Sequence, residues 1–185
     1  TFGKGMSAGL AVCGTATTKE IADEVEGNLG LPWAGTYSAD PMASAVALKS
    51  LQIVLRENLA ERAERLGIWL RERLEGIRDK YDCIGDVRGM GLYHMLDIVT
   101  DKKTKTPDPA MGERIRYNAM LEGAAFICVK NFMRICPPLI ITEAELDDAI
   151  GRLEIAIRRS MEGFPKDIDF SSSSSLAETK KQAAE

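Results

Sequence analysis

Cys83-Ile84-Gly85-Asp86-Val87-Arg88-Gly89-Met90-Gly91-Leu92-Tyr93-His94-Met95-Leu96-Asp97-Ile98-Val99 is where the chain changes texture. Residues 83–87 and 92–99 are short apolar runs, and each reads as a strand. Arg88-Gly89-Met90-Gly91 reads as the connection between them, since paired glycines punctuate a chain. Before this stretch the pattern is helical. Asp40-Pro41 starts a helix, with an acid at the cap and proline at the first helical position. That helix carries Met42, Val46, Leu48 and Leu51 to about Glu57. After Asn58 a second helix places Leu59, Leu66, Leu70, Leu74 and Ile77 on one stripe, with Arg and Glu opposite.

Beyond the strand pair, residues 100–106 form a charged turn. Asp108-Pro109 starts another helix that ends at Gly123. Residues 124–129 and 132–136 read as a second strand pair, stopped by Pro137-Pro138 because proline cannot donate to a ladder. Thr142 with Glu145 has capping-box spacing, and the helix it opens aligns Leu146, Ile150, Leu153 and Ile157. From Lys166 the chain turns polar, with five consecutive serines at 171–175, and is expected to be disordered. At the other end, Gly3, Gly5, Gly9 and Gly14 crowd the first fourteen residues. Residues 10–13 read as a buried strand. Thr17-Thr18-Lys19-Glu20 opens a short helix that Gly27 ends. The class is α/β, with helices first and a small mixed unit after them.

Composition narrows the function. The 185 residues hold 24 basic and 28 acidic side chains, a net charge of −4. That gives no basic footprint for nucleic acid. No apolar run is long enough to span a bilayer, and no secretory leader opens the chain. The first residue is Thr1, which reads as the start of a processed product or of an excerpt from a longer gene. Cys13, Cys83, Cys128 and Cys136 form no CxxC pair and read as buried or half-buried reduced thiols of a cytoplasmic protein. A zinc site would need paired short spacings. The single histidine, His94, sits in an apolar strand and reads as packing against a neighbour. Chemistry must then come from lysine, arginine, carboxylates or a cofactor.

Three segments could supply it. Lys4 lies between Gly3 and Gly5 ahead of an apolar run. A lysine held in a cleft can form a Schiff base with a carbonyl; a solvated loop lysine is the plainer alternative. Thr36, Tyr37 and Ser38 precede the helix start at Asp40-Pro41, where hydroxyls suit a phosphate; a polar loop and a cap account for them equally. Arg134 stands among apolar residues, where it must be paired. It could grip a carboxylate through two parallel hydrogen bonds, or close an internal salt bridge.

In order and spacing, these segments resemble the C-terminal part of the class III pyridoxal-phosphate-dependent aminotransferases. The markers are Phe2-Gly3-Lys4-Gly5, Gly35-Thr36-Tyr37, Asp40-Pro41, residues 84–92, and Arg134-Ile135-Cys136-Pro137-Pro138-Leu139. The resemblance covers residues 1 to about 163. It implies the type I, aspartate-aminotransferase-like fold. Residues 1–57 would end the cofactor-binding large domain and its connecting helix, residues 58–165 would be the small domain, and residues 166–185 a tail. It implies that Lys4 bonds to pyridoxal 5′-phosphate and shuttles a proton. It further implies that Thr36, reaching across a homodimer interface, binds the cofactor phosphate, and that Arg134 holds the substrate carboxylate. Asp86, Val87 and Arg88 would shape the small domain. The family's phosphate-cradling glycine loop, its ring-stacking aromatic and the aspartate that pairs with the pyridinium nitrogen all precede the lysine and have no place in these residues.

The expected activity is transfer of an amino group between an amino acid or amine and a 2-oxo acid. One alternative is a decarboxylating transaminase. Residues 81–89, residues 101–105 and Asp40 resemble the dialkylglycine decarboxylases, in which Thr36 and Asp40 would be ligands of an alkali-metal ion. Oxygen ligands suit such a hard cation, although a helix cap accounts for Asp40 alone. The other alternative is a non-catalytic remnant that serves only as a dimerisation module.

Overall fold

A computed structural model describes residues 1–29 and 38–162. The loop expected to bind phosphate, with Thr36, and the polar tail both lie outside the described residues. The chain divides into two compact units, Thr1–Leu59 and Ala60 onward.

In the first unit, a tight turn comes before any regular element. Phe2 and Gly14 exchange two backbone hydrogen bonds, of 2.8 and 2.9 Å. A Cβ at Gly14 would stand 2.6 Å from the Phe2 ring, which lies against the backbone there. A 3₁₀ turn, Lys4–Ser7, follows. The buried Ser7 hydroxyl joins the carbonyls of Lys4 and Leu10, at 3.2 and 2.5 Å. Residues 10–13 form no strand. Among the described residues no strand lies beside them, and an apolar run becomes a strand only when something pairs with it. Helix α1, Lys19–Leu29, runs straight through Gly27, so that glycine is not its stop. Helix α2, Pro41–Arg56, begins as read: Asp40 Oδ1 accepts the Ala43 N–H at 2.7 Å. It packs against the Lys4–Ser7 turn. Asn58, at φ +47°, breaks the chain into a second helix, α3, Leu59–Lys80.

The second unit is an antiparallel sheet with helices on one face. Strands β1, Ile84–Met90, and β2, Tyr93–Asp101, form a hairpin. The two-residue β3, Thr106–Pro107, adds to β2. Helix α4, Pro109–Leu121, precedes β4, Ile127–Val129, and β5, Phe132–Ile135; helix α5, Glu143–Met161, closes the unit. The sheet order is β1-β2-β5-β4. Both helix caps fall where the side chains put them. Asp108 accepts from Met111 N at 2.9 Å, and the Thr142–Glu145 box closes in both directions. Leu66, Leu70, Leu74 and Ile77 of α3 meet Ile84, Leu96, Ile98, Met133 and Ile135 of the sheet and Leu146, Ile150, Leu153 and Ile157 of α5 in one core. Between α4 and α5, Asn118 Nδ2 donates to Ser160 Oγ at 2.8 Å.

The hairpin is longer than the glycines suggest. β1 continues through Arg88, Gly89 and Met90, and the reversal shrinks to Gly91-Leu92. Gly89 is a strand residue at φ +143°, where a Cβ would lie 2.1 Å from the Tyr93 carbonyl oxygen. It marks close backbone approach, the other meaning of glycine in a strand. Helix α3 crosses this reversal at Gly67, where a Cβ would stand 2.2 Å from the Gly91 carbonyl oxygen.

His94 is sealed beneath that crossing, 1% exposed, and neither ring nitrogen completes a hydrogen bond. Burial pulls its pKa below the usual histidine value. The Arg71 cation adds to this, while the Gly91 and Gly67 carbonyls and Glu75 oppose it. A lowered folded pKa means that the unfolded chain binds the proton first. The stability contributed is therefore present above the unfolded value, near 6.5, and is lost as pH falls below it. His94 is the chain's only histidine. Between pH 7 and 5 the unfolding free energy should fall by at most about 1.4 kcal/mol per pH unit from this group, and the melting temperature with it. His94→Leu should flatten that segment of the curve. An unchanged slope in the variant would show that another group carries it.

Candidate active site

Lys4 stands exposed at the head of the 3₁₀ turn with φ +58°, a left-handed conformation that costs an L-residue about 1–2 kcal/mol. Gly3 is extended at φ 173°, and a Cβ there would meet the Val12 carbonyl oxygen at 3.4 Å. Met6 N–H donates back to the Gly3 carbonyl at 3.4 Å. Strained backbone of this kind gathers at functional sites. The result is a primary amine presented beside a hollow of about 770 Å³ lined by Phe2, Ser7, Leu10 and Val12. A free primary amine on a fixed backbone is the donor that an aldehyde-bearing cofactor needs, so Lys4 fits the group that the sequence implies.

Arg134 belongs to the second unit. Its strand turns Met133 and Ile135 into the core and Phe132 and Arg134 to the other face. There Arg134 pairs across to Met95 of β2 and Ile127 of β4. The side chain is half-buried, and its Nε is buried without a hydrogen-bond partner. The internal salt bridge is absent: among the described residues, no acid pairs with it. What it has is the Tyr93 ring, 5.9 Å from the guanidinium carbon. It also borders a cavity of about 460 Å³ with Phe126, Ile127, Cys136 and Pro137. An unneutralised guanidinium at a cavity wall suits a carboxylate.

The rest of the sheet's outer face is committed. Arg88 donates to Asp97 Oδ1 and lies over the Phe132 ring, its guanidinium carbon 5.5 Å from the centroid. Asp86 is held by Lys105 at 3.0 Å, and that ammonium keeps its carboxyl below the usual range. Cys83 and Cys128 are pushed up to about 11 by burial, so neither is a thiolate near neutral pH. Cys13 and Cys136 are exposed, contrary to the expectation for all four, and all four cysteines are free. Asp40 spends one oxygen on capping α2. Among the described residues, no cluster of three or more His, Cys, Asp or Glu side chains could hold a metal ion. No helix among them is long and apolar enough to cross a membrane.

Two supporting residues left no trace in the sequence. Arg62 of α3 donates to the carbonyls of Leu139, at 2.5 Å, and Ile141, fixing the loop that follows Arg134 from 77 residues away. Tyr93 meets Arg134 only through the β2–β5 register, which no local pattern encodes.

The chain is similar to known proteins in sequence and in fold. The family model described as "Aminotransferase class-III" matches residues 1–157. The ethanolamine-phosphate phospho-lyase homolog 1 of Caenorhabditis elegans is 33% identical over 160 residues, covering 83% of this chain and 33% of the relative. The alanine/serine racemase of Pyrococcus horikoshii is 35% identical over 165 residues, covering 88% and 34%. A solved (S)-enantioselective omega-transaminase from Thermomicrobium roseum superposes with a TM-score of 0.69 at 31% identity, covering 78% of this chain and 33% of that one. The chain thus spans about a third of the length of the curated relatives it matches. The matched residues include Lys4 and Arg134, and the chain belongs to the class-III aminotransferase family.

Proposed function

We propose that the chain is the part of a pyridoxal-phosphate-dependent aminotransferase that carries its reactive lysine and its carboxylate-binding arginine. The reaction moves an amino group between an amino acid or amine and a 2-oxo acid. The observation that carries this reading is Lys4, a primary amine fixed on left-handed backbone between two glycines. Pyridoxal phosphate supplies an electron sink that makes a proton on the carbon bearing the substrate amine removable. Lys4 Nζ holds that group and carries the proton from the substrate Cα. Arg134 orients the substrate by its carboxylate. Thr36 binds the cofactor phosphate from across a homodimer interface.

Proton removal at Cα is a step that a transaminase shares with a racemase, and the two part company in where the proton returns. The relative named as a racemase is compatible with the same proton-transfer role for Lys4. Transamination is favoured here by the solved omega-transaminase. In this reading Asp40 serves as the cap of α2, and an alkali-metal ion belongs only to the decarboxylating alternative. Four free thiols suit a reducing compartment, and we assign the protein to the cytoplasm.

Borohydride trapping tests the central assignment. The full-length enzyme is incubated with pyridoxal phosphate, reduced and mapped by mass spectrometry. The phosphopyridoxyl mass should sit on Lys4, and Lys4→Ala should lose it. A mark confined to another lysine would remove Lys4 from the site. An unmarked enzyme would leave the non-catalytic alternative standing.

A further inference from the structure

Two arginines and two acids share the outer face of the sheet; Asp86 is taken by Lys105, and Asp97 is placed to serve either arginine. Arg88 of β1, Met95 of β2 and Arg134 of β5 lie in one cross-strand row, since Met95 pairs with both. Asp97 is two residues further along β2, paired with Asp86 on one side and Phe132 on the other. It is thus a diagonal neighbour of Arg88 and of Arg134 alike, at the spacing of about 7–8 Å that long side chains bridge. Its carboxylate goes to Arg88, whose guanidinium also lies over Phe132. Arg134 is left charged, its Nε unpartnered, against the Tyr93 ring.

We infer that Arg88 is a positioning residue for Arg134: by holding Asp97 it keeps the carboxylate-binding guanidinium free. This rests on the reading of Arg134 given above. Without Arg88, Asp97 would be a buried acid lacking its partner, one diagonal step from an unpaired arginine, and the two would close on each other. The internal acid would then compete with a substrate carboxylate for the same fork. Restraint of this kind confers specificity, because an arginine already neutralised discriminates poorly between carboxylate and apolar ligands.

The competition can be read directly on the Arg134 side-chain Nε–Hε resonance by NMR, with pyruvate as the titrant. In the wild-type chain the resonance should move as pyruvate binds. Arg88→Met should shift the ligand-free resonance and weaken pyruvate about ten-fold, the scale of one charged hydrogen bond. The double variant Arg88→Met/Asp97→Asn should return both the shift and the affinity toward wild type. A purely structural role for Arg88 would give no such rescue. An Arg88→Met chain that binds pyruvate as wild type does, or a double variant as weak as the single, overturns the inference. Silence of wild-type Arg134 toward pyruvate overturns the carboxylate clamp instead; the ligand-free shift and its reversal by Asp97→Asn then still decide whether Arg88 holds the acid away.

Discussion

Lys4→Ala should lower turnover of the full-length enzyme by about 10²–10⁴-fold, the usual worth of a positioned proton-transfer group. The backbone makes this a clean substitution. Lys4 and alanine both carry a Cβ, so both bear the same cost at φ +58°, and the turn held by Ser7 and the Phe2–Gly14 bridge has no reason to change. The side chain is exposed, so little buried surface is lost. What disappears is the amine. Small primary amines such as methylamine should then restore part of the rate, in proportion to their basicity, because the deficit is a missing base and not a misfolded site. Lys4→Arg should not be rescued by its own charge, since a guanidinium does not give up its proton in a protein. Turnover within ten-fold of wild type in Lys4→Ala would assign the proton transfer to another group.

Much of this molecule was legible wherever a local rule decides the outcome. Asp40-Pro41, Asp108-Pro109 and Thr142 with Glu145 are cap chemistry, satisfied within three residues, and each helix begins where its cap stands. The stripes of α3 and α5 are local periodicity, and they became the core. What failed was glycine. Gly27 and Gly89 carry the composition of a stop, yet one lies inside a helix and the other inside a strand. Glycine states that a Cβ is absent; the reason lies in whatever approaches, and at Gly89 that is the Tyr93 carbonyl across the hairpin. Residues 10–13 failed for a related reason, since a strand is a relation between two segments.

The candidate site divides along the same line. Lys4 and Arg134 stood out by residue type in an unusual setting. Whether Arg134 was paired could not be read locally, because the deciding facts are the β1-β2-β5 register and the capture of Asp97 by Arg88. Arg62 and Tyr93 act through contacts that no spacing announces.

That resolved pairing sets the second large effect. Arg134→Ala should cut kcat/KM for an α-amino acid donor by about 30-fold or more, equivalent to about 2 kcal/mol. This is the lower end for a severed charge pair, because the side chain is half-buried and water can replace part of the contact. The same variant should leave kcat/KM for an amine without a carboxylate nearly unchanged. Such a donor gains nothing from the guanidinium, and no internal acid is orphaned when the guanidinium goes. Had Arg134 been salt-bridged within the protein, its removal would have stranded a buried carboxylate and slowed both donors alike. The ratio of the two donors therefore separates the roles. A loss confined to the amino acid marks a substrate clamp, and an equal loss on both donors marks a structural arginine and takes Arg134 out of the site.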